Sequence, residues 1–190
     1  GLQSIGIVLF ISFFVGGVVS IQTALNLQNP LLPTYLIGLA SRDSLILEFS
    51  PTMISLILAG KVGSSIASEI GSMRVSEQID ALEIMGVNSA SFLILPKIIA
   101  SMFFFPCLVI LSMGIGMIGA WVGGLSVDVT TTDFLYGLQY EFVPFYVTYA
   151  IIKTLFFAFL VSSISSYFGY YSKGGAISVG KSSTEAVVYS

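Results

Sequence analysis

Two long stretches of this chain contain no charged residue, and they limit the folds that are open to it. They are residues 2–27 and residues 98–127. A helix needs about 20 apolar residues to cross a hydrocarbon core of roughly 30 Å, so each stretch is long enough to span a bilayer. The composition agrees, because 55% of the residues are hydrophobic and only 9% are charged. The sequence therefore predicts an integral membrane protein.

Two further stretches carry only one or two charges each. Residues 45–67 contain Glu48 and Lys61, and residues 142–168 contain only Lys153. The predicted fold class is therefore an all-α polytopic transmembrane helix bundle, with spans at about 2–27, 45–67, 98–127 and 142–168. Residues 1–190 are predicted to form a single transmembrane domain. Both ends of the chain are abrupt, and we expect a trimmed form of a longer polypeptide.

The cations predict which ends of the spans face the cytoplasm. If the N-terminus lies inside, five of the seven cations fall at or beyond cytoplasmic ends: Lys61, Arg74, Lys97, Lys173 and Lys181. The outer loops are then expected at about residues 28–43 and 128–141. Trp121 and most of the tyrosines gather near the predicted span ends, where amphipathic rings prefer the headgroup layer.

Several kinds of site are excluded by residues that the chain lacks. It has no histidine, which removes His-based triads, general bases and metal sites. Its single cysteine, Cys107, can form neither a disulfide within the chain nor a Cys-rich metal site. A net charge of −3 without clustered Lys and Arg excludes a nucleic-acid surface. No catalytic residue and no metal ligand is predicted.

Small residues in the spans lie four positions apart, the spacing that lets membrane helices approach closely. The pairs are Gly60/Ser64, Gly63/Ala67, Gly116/Ala120 and Gly119/Gly123. Such spacing is common, so it predicts packing and not a function.

The charges between the second and third spans concentrate in residues 68–86 (SEIGSMRVSEQIDALEIMG). We predict one short amphipathic helix here, ended by Gly86, because apolar residues recur at helical spacing. These are Val75, Ile79, Leu82 and Met85. The polar face is mainly acidic, which opposes binding to anionic lipid. Docking of a cytosolic partner is therefore favoured over a passive helix on the membrane surface, which stays the alternative.

Glu48 and Lys153 are the two charges set most clearly inside predicted spans. Each would cost roughly 2.5–3.5 kcal/mol if it stood unpaired at the bilayer centre, so we expect each to find the other or water. Two interpretations stay open: a buried ion pair that fixes helix register, or a polar element that lines a substrate cavity.

Residues 175–182 (GAISVGKS) match the phosphate-binding pattern G-x-x-x-x-G-K-[ST]. A true phosphate-binding loop follows a buried strand and opens a helix in an α/β sheet. This segment follows a predicted span and a tyrosine-rich membrane edge instead, so nucleotide binding is not predicted here.

Residues 59–100 (AGKVGSSIASEIGSMRVSEQIDALEIMGVNSASFLILPKIIA) resemble the MlaE (YrbE) permease family. The E-I-G, S-E-Q-I-D-A-L and L-P-K pieces are specific together, and the likeness continues through Lys153 to residues 174–188 (GGAISVGKSSTEAVV). The resemblance implies the permease domain of an ABC transporter that pairs with a second copy, a cytosolic ATPase subunit and a periplasmic MCE-domain protein. It implies transport of phospholipid or a related lipid at a bacterial inner membrane, with a plastid inner envelope the less favoured location.

The resemblance also implies roles for particular residues. The 68–86 helix would be the coupling helix, with ATPase contacts from Glu69, Arg74, Glu77, Gln78, Asp80 and Glu83. ATP and Mg would sit on the ATPase, and this chain would bind no cofactor. A lipid cavity between the two copies would involve Glu48, Lys153, Gln22, Leu25 and Leu27. Many relatives have an arginine where this chain has Leu47, so fewer charges are expected near Glu48 here. The resemblance also implies one further transmembrane helix, which is expected to be missing from this chain.

Two other functions remain as alternatives. An intramembrane lipid-modifying enzyme could use Glu48 as a base, but such a site would ordinarily cluster several polar residues at one depth. A non-transporting membrane scaffold could use the acidic helix alone, but it would not explain the charges inside the spans.

Overall fold

The computed structural model describes residues 2–27, 29, 31–173 and 176–190. Over these residues the chain is helical and has no strand, which confirms the predicted all-α class. Four helical stretches are long and apolar enough to cross a membrane, as predicted. They are Ser4–Asn26, Tyr35–Val75, Ser89–Leu125 and Phe145–Tyr170.

Nine α-helices occur in the described part of the chain. In order they are α1 (Leu2–Asn26), α2 (Tyr35–Ser44), α3 (Ile54–Leu58), α4 (Ser64–Val75), α5 (Gln78–Ile84), α6 (Ser89–Leu125), α7 (Thr131–Gln139), α8 (Phe145–Tyr170) and α9 (Ala176–Tyr189). A first π-helical segment, Leu45–Met53, joins α2 to α3, and a second, Ala59–Gly63, joins α3 to α4. Residues 35–75 are therefore helical without a break.

The two predicted outer loops are wrong in part, because α2 occupies much of the first and α7 much of the second. Arg42 explains the first error. Its side chain is only 2% exposed and pairs with Asp43 at 2.8 Å, and it donates to the backbone carbonyls of Leu138 and Tyr140 at 2.9 and 2.8 Å. Arg42, which the sequence placed in a loop, is therefore a buried residue of α2 that binds the backbone at the end of α7.

The helices group into two compact units. The first unit comprises Ser55–Pro106 and Leu155–Ser190, and the second comprises Leu2–Ile54 and Cys107–Thr154. The core of the first unit is built on Ile66, Ile70 and Ile79. The core of the second unit is built on Val19, Ala24, Ile37, Leu45, Ala120, Val129 and Phe134.

In the second unit, α1 and α6 are packed backbone against backbone through glycines. A Cβ added at Gly16 would overlap the carbonyl of Gly116, and one added at Gly119 would overlap the carbonyl of Phe13. Only glycine permits such an approach, which confirms the packing predicted for this part of α6. The same prediction is wrong at Gly60, where a Cβ would meet nothing within 4 Å.

The segment predicted as one helix over residues 68–86 is two helices, α4 and α5, separated at Ser76 and Glu77. Glu77 has φ of 60°, a left-handed conformation that ends α4 and redirects the chain. The change of direction separates the predicted apolar stripe, so Ile79 is buried while Val75 and Met85 are exposed. The long amphipathic face expected from the sequence therefore does not form.

The predicted stop at Gly86 is confirmed. Gly86 has φ of 76°, and its N–H donates to the Glu83 carbonyl at 3.0 Å. The Val87 N–H donates to the Leu82 carbonyl at 3.1 Å. Together these bonds form a Schellman motif, which satisfies carbonyls at the end of α5 and fixes the turn into α6.

Replacing Glu77 by glycine is expected to stabilise the folded protein. A non-glycine residue in the left-handed region costs roughly 1–2 kcal/mol, and glycine avoids most of that strain. We expect a rise in melting temperature in detergent of about 2–4 °C, the shift that about 1 kcal/mol gives a chain of this size. Glu77→Gln is the matched control, because it removes the charge and keeps the strain. An equal rise in both variants would assign the effect to the charge and contradict the backbone explanation.

Candidate functional site

The two charges inside the spans are in contact. The Lys153 Nζ on α8 lies 3.0 Å from the Glu48 Oε2 in the first π-helical segment. The lysine side chain is 21% exposed and the glutamate side chain is 66% exposed. The predicted encounter of these charges is therefore seen, and one member of the pair stays open to its surroundings.

The same lysine also contacts the backbone next to the glutamate. Pro51 lies in this π-helical segment and has no N–H, so one backbone donor is missing about one turn beyond the Leu47 carbonyl. Lys153 Nζ lies 3.4 Å from that carbonyl and donates to it. One ammonium group thus holds both the carboxylate and a backbone carbonyl of an irregular helical segment.

An exposed carboxylate on a membrane-spanning helix cannot be left against lipid tails. Charged groups in spans face a bundle interior, a partner or a water-filled cavity, because each costs several kcal/mol in hydrocarbon. Glu48 and Lys153 therefore mark the face of the second unit that requires polar surroundings. π-helical segments are also frequent at functional sites, which agrees with this location.

The remaining cavity candidates lie near the C-terminal end of α1, in the same unit. Gln22 and Leu25 are exposed, and they could line a cavity without rearrangement. Leu27 is partly buried and packs against the core of this unit. Of the three, Leu27 has the most evident structural role.

A chain of buried serines was not singled out by sequence reasoning. The Ser12 hydroxyl on α1 lies 2.8 Å from that of Ser112 on α6, which lies 3.3 Å from that of Ser50 in the first π-helical segment. These side chains are 2–4% exposed. The chain joins the π-helical segment to α1 and α6, so the element that carries Glu48 is fixed on two sides.

In the first unit, most charges of the predicted coupling segment pair within the protein. Glu69 binds Lys97 at 2.6 Å, and Arg74 binds Asp80 at 3.0 Å. Both carboxylates are more than half exposed, so these pairs are surface pairs that contribute little to stability. They link α6 to the middle of α4 and α5 to its C-terminal end.

Glu83 is fixed by two hydroxyl groups. The Ser89 hydroxyl donates to its Oε1 at 2.9 Å, and the Tyr170 hydroxyl donates to the same oxygen at 3.0 Å. The hydrogen bonds from Ser89 and then Tyr170 hold the pKa of the Glu83 carboxyl below its usual range. The group is therefore ionised at neutral pH, and its charge faces the protein's own hydroxyls.

The exposed surface of α5 carries apolar side chains as well as acidic ones. Ile84 and Met85 at the end of α5 are 87% and 68% exposed, and Glu77 and Gln78 at its start are exposed as well. Glu77 joins none of the pairs described above. We define the exposed tip as Glu77, Gln78, Ile84 and Met85. The sequence pattern does not reveal that its apolar half is exposed, because it places Met85 on the same apolar stripe as the buried Ile79.

The segment that matches a phosphate-binding pattern is part of α9 over its described residues 176–182. Lys181 points along this helix toward Glu185, at 3.8 Å. No strand precedes it in the described part of the chain, so the geometry of a phosphate-binding loop is missing.

Comparison with known proteins identifies the family. The profile of the family described as Permease MlaE matches residues 1–190. A probable ABC transporter permease protein of Rickettsia bellii is 37% identical, over 100% of this chain and 73% of the relative. A probable ABC transporter permease protein of Synechocystis sp. is 36% identical, over 100% of this chain and 72% of the relative.

A plant relative is similar over a smaller part of its own length. The chloroplastic protein TRIGALACTOSYLDIACYLGLYCEROL 1 of Arabidopsis thaliana is 34% identical, over 100% of this chain and 54% of the relative. The matches cover this chain from end to end, and they agree with its four apolar helices. The chain is therefore an integral membrane transporter permease and belongs to the MlaE permease family.

Proposed function

We propose that this chain is the membrane permease of an ABC transporter for phospholipid or a related lipid. The observation that carries the proposal is the Glu48–Lys153 pair, with its carboxylate 66% exposed on a span. A lipid molecule supplies a charged headgroup next to long apolar tails. A mostly apolar helix surface interrupted by one exposed ion pair suits such a molecule.

The two alternative functions have less support. The Glu48 carboxylate is already engaged by the Lys153 ammonium at 3.0 Å, so it is not presented alone to a substrate as a general base would be. Among the described residues, no three of His, Cys, Asp and Glu come together to hold a metal ion. A passive scaffold has no need for an exposed ion pair in a span, which costs stability.

The energy is supplied by a separate ATPase that docks on the exposed tip of α5. The names of the bacterial relatives include ABC transporter permease, a class that works with such a subunit. An exposed apolar surface with polar and acidic neighbours suits a groove on a protein better than an anionic lipid surface. ATP and Mg would bind to the ATPase, and Glu69, Arg74, Asp80 and Glu83 would hold the tip in place.

Two further partners complete the proposal. A second copy of this chain would cover the exposed ion pair and enclose a cavity for the lipid, with Gln22 and Leu25 at its wall. A periplasmic MCE-domain protein would exchange lipid with this cavity at a bacterial inner membrane. A plastid envelope is the alternative location, in view of the chloroplastic relative.

The mechanism is alternating exposure of the cavity. An ATPase can shift such an equilibrium only by the difference between its interactions with the two cavity states. α5 is short, exposed and joined to α4, α6 and α8 by the contacts above. It is thus suited to receive the closure of the ATPase and to pass the movement into the spans.

Replacing Ile84 by serine is expected to weaken binding of the ATPase. An apolar anchor at the centre of an interface contributes about 2 kcal/mol or more, so the dissociation constant should rise about 30-fold. Binding is measured with the full-length complex purified in mild detergent. Ile177→Ser is the matched control, since Ile177 is 92% exposed on α9. Equal loss in both variants, or no loss at Ile84, would contradict docking at this tip.

A further inference from the structure

Tyr170 joins the ends of several helices in the first unit. It is the last residue of α8, and its hydroxyl lies 3.0 Å from Glu83 Oε1 on α5 and 2.9 Å from Ser89 Oγ, at the start of α6. Ser89 donates to the same carboxylate oxygen at 2.9 Å. The three side chains form a closed triangle that links α5, α6 and α8.

The ring of Tyr170 makes a second set of contacts. The Arg74 guanidinium at the end of α4 lies over the ring, 5.5 Å from its centroid, a geometry typical of a cation–π interaction. Arg74 also binds Asp80 on α5 at 3.0 Å. The ring packs against the core cluster that contains Ile79, the buried residue of α5.

The end of α8 is fixed against α4 just before this tyrosine. A Cβ added at Gly169 would lie 2.8 Å from the Ala67 carbonyl and 3.0 Å from the Ile70 Cβ, so the two helices touch closely. One turn earlier, a Cβ at Gly63 would lie 2.7 Å from Ser165 Oγ on α8. The position of Tyr170 relative to α4 is therefore set by the backbone and not by a flexible side chain.

α5 has few other attachments. It has seven residues, too few to be stable as an isolated helix, and Ile79 is its buried residue. Its polar contacts with neighbouring helices are Asp80 with Arg74 and Glu83 with Ser89 and Tyr170. Of these, the bond from Tyr170 links α5 directly to α8. The same helix carries Lys153, which holds Glu48.

From these contacts we infer that Tyr170 is a positioning residue that passes the movement of α5 to α8. The inference rests on the proposed function, because it assigns the route by which ATPase closure reaches a span. Glu83 then serves as the hydrogen-bond acceptor for Ser89 and Tyr170, and its charge is not a docking contact for the ATPase. This separates Glu83 from the exposed tip of α5.

The test uses the complete complex with its ATPase, reconstituted into vesicles of phosphatidylethanolamine and phosphatidylglycerol. Tyr170→Phe keeps the ring and the contact with Arg74 but removes the hydroxyl. We expect unchanged ATPase binding and continued ATP hydrolysis, with lipid moved per ATP reduced about fivefold or more, the lower end of ordinary coupling effects. Tyr171→Phe is the matched control, because it removes an adjacent exposed hydroxyl outside the triangle.

Two variants of Glu83 separate positioning from docking. Glu83→Gln keeps an oxygen that can accept both hydrogen bonds, so lipid moved per ATP should stay within about twofold of wild type. Glu83→Ala removes the acceptor of both hydrogen bonds and should lower the lipid moved per ATP at least as much as Tyr170→Phe does. The double variant of Glu83→Ala with Tyr170→Phe should lower it no further than Glu83→Ala alone, because Glu83→Ala already removes the bond from Tyr170.

The outcomes distinguish this inference from the proposed function. Normal coupling in Tyr170→Phe, or loss of ATPase binding in Glu83→Gln, would overturn the positioning role while the wild-type complex still moves lipid. Failure of the wild-type complex to bind an ATPase or to move lipid with ATP would overturn the proposed function itself, and this inference with it.

Discussion

Replacing Gly119 by alanine is expected to destabilise the folded protein by about 2–3 kcal/mol, near the upper end of ordinary overpacking effects. A Cβ at this position would overlap the carbonyl of Phe13, a backbone atom that no side-chain rotation can move away. α1 and α6 would have to separate, and this movement would also break their contacts at Gly16 and Gly123. The measurement is the melting temperature and the yield of monodisperse protein in detergent.

Gly114→Ala is the control, on the same helix. A Cβ at Gly114 would meet nothing within 4 Å, and alanine favours a helix by roughly 0.5–1 kcal/mol over glycine. This variant should therefore melt at the wild-type temperature or slightly higher. If the two variants behaved alike, the close packing of α1 on α6 would be contradicted.

Replacing Lys153 by methionine should reduce lipid transfer at least about tenfold, which corresponds to about 1.4 kcal/mol. Methionine is similar in length to lysine but cannot donate to Glu48 or to the Leu47 carbonyl. An unpaired carboxylate would remain on a span, at a cost of roughly 2.5–3.5 kcal/mol if it stood at the bilayer centre. The measurement is the rate of ATP-dependent phospholipid transfer, with the melting temperature recorded in parallel.

A double variant separates the two roles of this pair. Lys153→Met combined with Glu48→Gln removes both charges, so stability should recover because no charge is left unpaired. Lipid transfer should stay low, because the headgroup would find no charged partner. Recovery of both properties would mean that the pair has only a structural role. Normal transfer in Lys153→Met alone would remove the pair from the transport path.

The spans could be predicted from the sequence because hydrocarbon imposes a simple rule on composition and length. The uncharged stretch at residues 2–27 located α1 almost to the residue, and the stretch at 98–127 located the end of α6 within two residues, but α6 begins nine residues earlier, at Ser89. The rule fails where a charge is buried by a partner that is remote in sequence. Arg42 is satisfied by carbonyls of Leu138 and Tyr140, so the second helical stretch begins ten residues earlier than its charges indicated.

The candidate site was predictable only in part for the same reason. The cost of an isolated charge in lipid identified Glu48 and Lys153 but could not show that Lys153 also binds the Leu47 carbonyl. In the 68–86 segment, helical periodicity predicted one helix, whereas the left-handed backbone at Glu77 gives two. Periodicity carries no information about such a break, and a glutamate is an unusual residue for it. The role of Tyr170 depends on three segments that meet only in the fold.

The most direct test of the proposed function is phospholipid transfer by the complete complex. Donor vesicles contain the complex, and the lipid is received by acceptor vesicles or by an acceptor protein. Transfer of a fluorescent phospholipid is followed with ATP, with a non-hydrolysable ATP analogue, and with Lys153→Met in place of the wild-type chain. If the chain is a lipid permease, chemically unaltered lipid moves only when ATP is hydrolysed, and Lys153→Met slows this movement while the ATPase stays bound. Transfer at equal rates with ATP and its analogue, or chemical conversion of the lipid, would contradict the account.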